Sequence, residues 1–271
     1  MALPVPATDR TALVTGASSG IGVELARQLA QRGHGVTLVA RREGPLRQLA
    51  DELHTTHGVR AEVAPADQAD EAARDALVRE VAERGLEVDV LVNNAGFSTM
   101  GAVHRSEAAR ELSMIRTDVE AVVHLCTALV PAMVDRGRGA VLNVASTAAF
   151  QPLPGQAGYS ASKAFVLAYT QALAQELKGT GVTATALCPG PVETGFAAAA
   201  GMDEEVAGSS LPKVMWVSAE AVAAAGVEGL AKGKRVVIPG GANRVLARVS
   251  AHAPRALVLP ILARQHPALR D

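Results

Sequence analysis

Two kinds of apolar pattern alternate along the chain. Short runs of β-branched and aliphatic residues predict strands over Thr11 to Thr15, Gly35 to Ala40, Arg60 to Ala64, Val88 to Asn93, Gly139 to Ala145, Gly181 to Leu187 and Arg235 to Ile238. Longer amphipathic stretches predict helices at roughly Gly20 to Arg32, Gly44 to Thr56, Asp70 to Arg84, Glu107 to Arg136, Ala157 to Lys178 and Ala219 to Lys232. Because the strands are apolar almost throughout, both of their faces should be covered. Strand following helix in this rhythm predicts an α/β protein with a parallel sheet. The rhythm breaks at Phe196-Ala-Ala-Ala-Ala-Gly201, and no clear period returns before Trp216, so residues 192–216 read as a lid. Residues 242–271 form a C-terminal extension. Its run Ala256-Leu-Val-Leu-Pro-Ile-Leu-Ala263 is too short to span a bilayer and holds a central proline, so it reads as a packing or subunit-contact segment.

Composition narrows this picture without changing it. The chain's 271 residues suit one large domain over 1–271, with a core at about 11–239. With 26 basic and 27 acidic residues, the net charge of -1 offers no electrostatic case for nucleic acid or an anionic membrane. Cys126 and Cys188 sit in apolar surroundings, which favours core thiols in a reducing compartment over a disulfide or metal site. Met1 to Arg10 lacks the basic start and apolar run of a signal peptide, and a cytoplasmic location is expected.

The first strand runs into Thr15-Gly-Ala-Ser-Ser-Gly-Ile-Gly22, which opens a helix. Gly16, Gly20 and Gly22 permit a tight turn and a close approach of backbone to a pyrophosphate, whose charge is favoured by the exposed amides of a helix N-terminus; Ser18, Ser19 and Ile21 complete the loop. After the second strand, an NAD site would carry an acid for the free ribose hydroxyls. Here Arg41 and Arg42 stand there instead, and guanidinium groups pair with a 2′-phosphate, so NADP is expected. The plainer alternative is that one of the two arginines is a solvated loop residue.

Tyr159-Ser-Ala-Ser-Lys163 places a phenol and an ammonium one helical turn apart. Burial alone would push a tyrosine above its usual pKa of about 10, and a nearby cation is expected to reverse this. Taken alone, such a pair also arises by chance on amphipathic helices.

Together the glycine loop, Asn93-Asn-Ala-Gly96, Ser146, Tyr159 to Lys163 and Pro189-Gly-Pro-Val-Glu-Thr194 resemble the short-chain dehydrogenase/reductases, over about Thr11 to Pro239. The resemblance implies a doubly wound (Rossmann) seven-stranded sheet with cofactor and substrate at its carboxyl edge. By position it implies that Asn94, Ala95 and Gly96 back the adenosine side of NADP, that Asp67 contacts adenine, and that Pro189, Gly190, Val192 and Thr194 lie beside the nicotinamide. For Asp67 and the asparagines the alternative is a turn residue and a polar strand end.

In the reaction that this resemblance implies, Ser146 holds the substrate oxygen and Tyr159 gives or takes its proton. Lys163 lowers the phenol's pKa and grips the nicotinamide ribose. Ser146 as a nucleophile lacks a partner histidine motif or a nucleophile elbow. The chain departs from the family at Asp118, where an asparagine is usual on the long helix, its backbone kink binding a water behind the lysine. A carboxylate there adds negative charge near Lys163 and cannot donate through an amide. It also leaves open a competing reading, a catalytically weak NADP-binding sensor.

Phe97, Ser98, Phe150, Leu153, Pro154, Phe196, Met202 and Met215 flank these motifs and predict a mainly apolar pocket for a ketone or secondary alcohol, though any of them can equally be a core residue. A homodimer or homotetramer is expected from the resemblance.

Overall fold

The computed structural model describes residues 3–192, 212–265 and 269. Its strands are β1 (Arg10–Thr15), β2 (Val36–Ala40), β3 (Ala61–Pro65), β4 (Glu87–Asn93), β5 (Gly139–Val144), β6 (Val182–Leu187) and β7 (Val236–Val237). All are parallel, in the order β3-β2-β1-β4-β5-β6-β7. The chain thus builds outward from β1 to β3, crosses back, and builds outward again from β4. This reversal opens a crevice between the carboxyl ends of β1 and β4, where doubly wound sheets bind ligands.

Three helices cover one face: α1 (Gly20–Ala30), α2 (Glu43–His57) and, late in the chain, α7 (Ala219–Ala231). Their Leu25, Leu29, Leu46, Leu53 and Val227 pack on Val14, Leu38 and Val92. The other face carries α3 (Glu71–Glu83), α5 (Ala121–Asp135) and α6 (Ala157–Glu176), whose Leu77, Leu125 and Val166 pack on Leu13, Leu91 and Val141. Adjacent strand residues therefore enter opposite cores, which is why the strands read as continuously apolar.

Three features differ from the sequence expectation. The helix predicted over Glu107 to Arg136 is α4 (Ala108–Ile115), a π-helical turn at Arg116–Glu120, and then α5. A π turn inserts one residue into a helical ladder and leaves no mark on apolar periodicity. The seventh strand shrinks to two residues. The extension, for which no helix was predicted, is largely helical, with α8 (Gly241–His252) and α9 (Arg255–Gln265), the second holding Pro260. The predicted lid falls mostly outside the described residues; its end is a 3₁₀ turn at Lys213–Met215.

One side chain of α8 ties the extension to the core. Asn243 is fully buried, and its Nδ2 donates to the carbonyls of Met215 (2.9 Å) and Pro239 (3.2 Å). Two stretches, Ala108–Asp135 and Lys213–Ala231, are long and apolar enough to cross a membrane by composition. The π turn interrupts the first, and α7 at the end of the second packs against α1 and the sheet.

Candidate active site

The crevice is assembled around Thr15, the last residue of β1. Its Oγ1 donates to Val92 O (3.3 Å) and accepts from the amides of Asn94 and Ala95 (both 3.0 Å). Asn94 returns the contact through Nδ2, which donates to Thr15 O at 2.9 Å. The ends of β1 and β4 are thereby knotted together, and the glycine loop lies against the knot. A Cβ on Gly16, whose φ is +68°, would come 2.7 Å from Asn94 Nδ2. One on Gly22 would come 2.2 Å from Gly16 O. No side chain larger than hydrogen fits either place.

The loop suits a dinucleotide's phosphates. Ser19 caps α1 in extended conformation without a side-chain hydrogen bond to the first turn, so that turn's amides keep their capacity for an anion. Gly20 takes φ +57° at the start of the helix, Ser18 is half-buried beside it, and Ile21 packs on the core. Arg42 reaches over the loop, with Nη2 3.4 Å from Ser18 Oγ, while Arg41 is exposed at the end of β2. Asp67 lies half-buried after β3 and turns the chain by accepting from the Ala69 amide at 3.0 Å.

Ser146, just past β5, caps the 3₁₀ turn Thr147–Phe150 by accepting from the Ala148 amide at 3.1 Å. Its hydroxyl also lies 3.5 Å from Pro189 O and hydrogen-bonds the phenol of Tyr159 in the first turn of α6. Ser146 and Tyr159 are each buried to the same degree, keeping 9% exposure.

Beneath them Lys163 Nζ lies 2.9 Å from Asp118 Oδ2 and donates to Val144 O at 3.2 Å. The other Asp118 oxygen accepts from the Phe97 amide at 3.0 Å. Asp118 reaches this position from within the π turn. Gly96 makes room for the pair, since a Cβ there would lie 3.0 Å from Asp118 Oδ1 and 3.1 Å from Lys163 Nζ.

The electrostatics correct one expectation. Burial pushes the Tyr159 phenol above its ordinary range, and the pull of Lys163 and Ser146 in the other direction does not overcome it. Burial is the main cause, and Asp118, which pairs with the ammonium at contact distance while Nζ stands 5.7 Å from the phenol ring centroid, adds a smaller push in the same direction. Burial pulls Lys163 down, but Asp118 and Tyr159 more than offset it and hold the ammonium above the usual lysine range. Burial pushes Asp118 up against the pull of Lys163 and the Phe97 amide. Cys188, next to this group, is a free thiol that burial pushes up to about 12, so it stays protonated.

Most predicted residues thus meet at one edge. Pro189 is buried, and Gly190 and Val192 are half-buried beyond β6. Gly190 lies flat against Asn243, where a Cβ would come 2.4 Å from its Oδ1. Phe97 and Leu153 are half-buried and pack with Tyr159, and Phe150, Pro154 and Met215 are half-buried too. Ser98 is a correction: it is fully buried, its Oγ donating to Thr99 O and accepting from Gln156 Nε2 at 2.9 Å, so it is structural. Thr194, Phe196 and Met202 lie outside the described residues.

Three contributors went unread in the sequence. Thr15 looked like an ordinary strand end, and Asn243 like a surface polar residue. Asn143 alone carried a signal, an amide inside the apolar run of β5. It accepts from Asn93 (2.8 Å) and donates to Thr170 of α6 (3.0 Å), fixing that helix against the sheet beneath the site.

The family model for short chain dehydrogenases matches residues 10–205. A Streptomyces coelicolor protein named for ketoacyl reduction is 43% identical over 192 residues, covering 70% of this chain and 73% of its own. Among solved structures, a short-chain dehydrogenase from Sphingobium yanoikuyae in complex with NADPH is 33% identical with a TM-score of 0.80, covering 92% of this chain and 94% of its own. A single-residue variant of actinorhodin polyketide ketoreductase with NADPH is 36% identical with a TM-score of 0.77, covering 88% and 99%.

The Thr15 knot yields a stability prediction. Thr15→Val keeps the shape but leaves the amides of Asn94 and Ala95 without their acceptor, and a lost partner costs about 1–3 kcal/mol for a buried group. Urea unfolding should show a lower midpoint at unchanged slope, equivalent to about 2 kcal/mol. A midpoint equal to that of the wild type would remove Thr15 from this role.

Proposed function

The chain belongs to the short-chain dehydrogenase family, and from that membership we propose an NADP(H)-dependent oxidoreductase that moves a hydride between the nicotinamide and a hydrophobic ketone or secondary alcohol. The observation that carries this reading is the convergence of Ser146, Tyr159 and Lys163 beside the glycine loop, at the carboxyl edge of the sheet. Family membership makes an NAD(P)-dependent enzyme acting on alcohol or carbonyl groups the general case. NADP in particular is supported by Arg42 lying over the phosphate loop, and by the NADPH held in both of the structures described above.

The bound cofactor supplies or takes up the hydride at carbon. The chain's own groups handle the oxygen. In reduction the Ser146 hydroxyl donates a hydrogen bond to the substrate carbonyl oxygen, and Tyr159 transfers its phenolic proton to the same oxygen as negative charge develops there. Oxidation runs the transfer backwards, with the phenolate taking the hydroxyl proton. Lys163 keeps a positive charge below the phenol, and Asp118 with Val144 O holds that ammonium in place. The half-buried Phe97, Phe150, Leu153 and Met215 favour an apolar substrate and limit water around the oxygen.

The direct test is a panel of apolar ketones and secondary alcohols, assayed in both directions with both nicotinamide cofactors. Tight NADPH binding with no turnover on any member would favour the sensor reading. Turnover that disappears in a folded Tyr159→Phe protein would favour the enzyme. The panel should also show kcat/KM with NADPH at least tenfold above that with NADH, about 1.4 kcal/mol of discrimination, and Arg42→Ala should close most of that gap. Equal efficiencies in the wild type would rule out the NADP assignment.

Asp118→Asn tests the electrostatics. Removing the carboxylate takes away one influence that raises the Tyr159 pKa and leaves the Lys163 charge unshared, so the phenol should ionise at lower pH. Oxidation needs the phenolate, so its rate rises as pH passes through this pKa, and that rising limb should move to lower pH in the variant. Turnover should stay within about tenfold of wild type, roughly 1.4 kcal/mol of barrier. A complete loss of turnover in folded protein, or a limb moved upward, would contradict the assigned role.

A further inference from the structure

Charge is segregated along this nearly neutral chain. From residue 229 to residue 270 there are eight Lys or Arg and no Asp or Glu, which leaves 18 basic against 27 acidic residues in the remainder. The basic stretch contains α8 and α9. On α8, Asn243 and Ala247 stand one turn apart and are buried against the body of the protein. The outward side exposes Val245 (62%) and Val249 (59%), also one turn apart, with Arg244 and Arg248 beside them. On α9 the pattern recurs, with Leu257 (68%) and Ile261 (55%) exposed between Arg255 and Arg264. Among the described residues no carboxylate pairs with Arg244, Arg248 or Arg255.

These exposed sides suit a partner that accepts aliphatic side chains and guanidinium groups together. A second copy docking through the same face would bring two faces of the same basic charge together, since a two-fold contact joins the same surface on both copies. Nucleic acid would satisfy the arginines but gives interleaved valine, leucine and isoleucine no aromatic-style stacking role. An anionic lipid surface accepts both, with aliphatic side chains entering the boundary between headgroups and acyl chains and guanidiniums pairing with phosphates. The acidic remainder would be repelled by the same surface, so the molecule would approach with one orientation.

We propose that α8 and α9 form a docking face for an anionic membrane surface, on which the protein lies without crossing the bilayer. The face adjoins the reaction site. α8 packs on the turns at Thr147–Phe150 and Lys213–Met215. At the start of α9, Arg255 borders a cavity of about 310 Å³ shared with Phe150, Leu153 and Ser160. Docking would therefore bring this cavity, next to the turn that follows Ser146, near the bilayer. The whole-chain charge of -1 conceals this, because the two signs lie in different parts of the molecule.

The test is co-sedimentation of the full chain with vesicles of phosphatidylcholine alone, or with roughly one-third phosphatidylglycerol, at low salt and at about 0.5 M salt. The expected result is at least tenfold tighter binding to the anionic vesicles, lost at high salt. It should weaken at least tenfold both in Arg244→Glu/Arg248→Glu and in Leu257→Glu/Ile261→Glu, with NADPH binding and the mass by light scattering unchanged. Wild-type protein that stays in the supernatant with both vesicle types overturns the proposal, whatever the variants do. So does binding that survives both double substitutions, binding to duplex DNA in place of vesicles, or a change of oligomeric mass in the Leu257/Ile261 variant, which would make the face a subunit contact.

Discussion

The ion pair between Lys163 and Asp118 is the constraint on which the site's geometry rests. Both groups are buried, so either one alone would carry a heavy desolvation cost, and each is tolerable because the other is present. A buried pair of this kind need not add stability beyond what apolar residues would supply, but it fixes positions. Asp118 comes from the π turn, Lys163 from α6, the Phe97 amide from the segment after β4, and the Val144 carbonyl from the end of β5. Four separate elements therefore have to stand in one arrangement before these groups are satisfied. Gly96 belongs to the same constraint, because a Cβ would occupy the space next to both charged groups.

The pair also sets a tension within the proposed chemistry. An ammonium facing Tyr159 with no carboxylate beside it would pull the phenol's pKa down unopposed by a neighbouring charge, whereas Asp118 adds a small upward push to the larger one from burial, and the phenol lies high. What the carboxylate supplies in return is a favourable partner for the ammonium in a place where burial works against its charge. Asp118 thus exchanges a stronger effect on Tyr159 for a more secure charge beneath it.

Features that depend on local backbone were legible in the sequence. Gly16 and Gly22 are needed because of contacts within the loop or just across the crevice, and the spacing of Tyr159 and Lys163 is a property of one helix. The strand order follows from alternation of strand and helix once the family is recognised. Features that depend on partners distant along the chain were not legible. Thr15 and Asn94 are 79 positions apart, and nothing about a threonine at a strand end announces that its hydroxyl will serve two amides. The π turn was hidden because one inserted residue hardly disturbs an apolar stripe; that Asp118 adds its charge near Lys163 was legible only through the family resemblance, and the turn that brings it to 2.9 Å was not. Ser98 shows the converse error: adjacency to a motif suggested a pocket wall, while its partner Gln156 takes it into the interior.

The C-terminal extension illustrates how one short helix can serve two regions. The inward side of α8 carries Asn243, whose amide lies flat on Gly190 and whose Nδ2 holds the Met215 carbonyl. Gly190 lies beyond β6 and Met215 in the 3₁₀ turn before α7, so a single buried side chain joins two segments that are apart in the sequence. The outward side carries the valines and arginines of the basic face. Both sides belong to one helix of 12 residues. Any surface that engages α8 therefore acts on the element that holds Gly190 and Met215 in register, and the extension is placed to influence the site without contributing a reacting group to it.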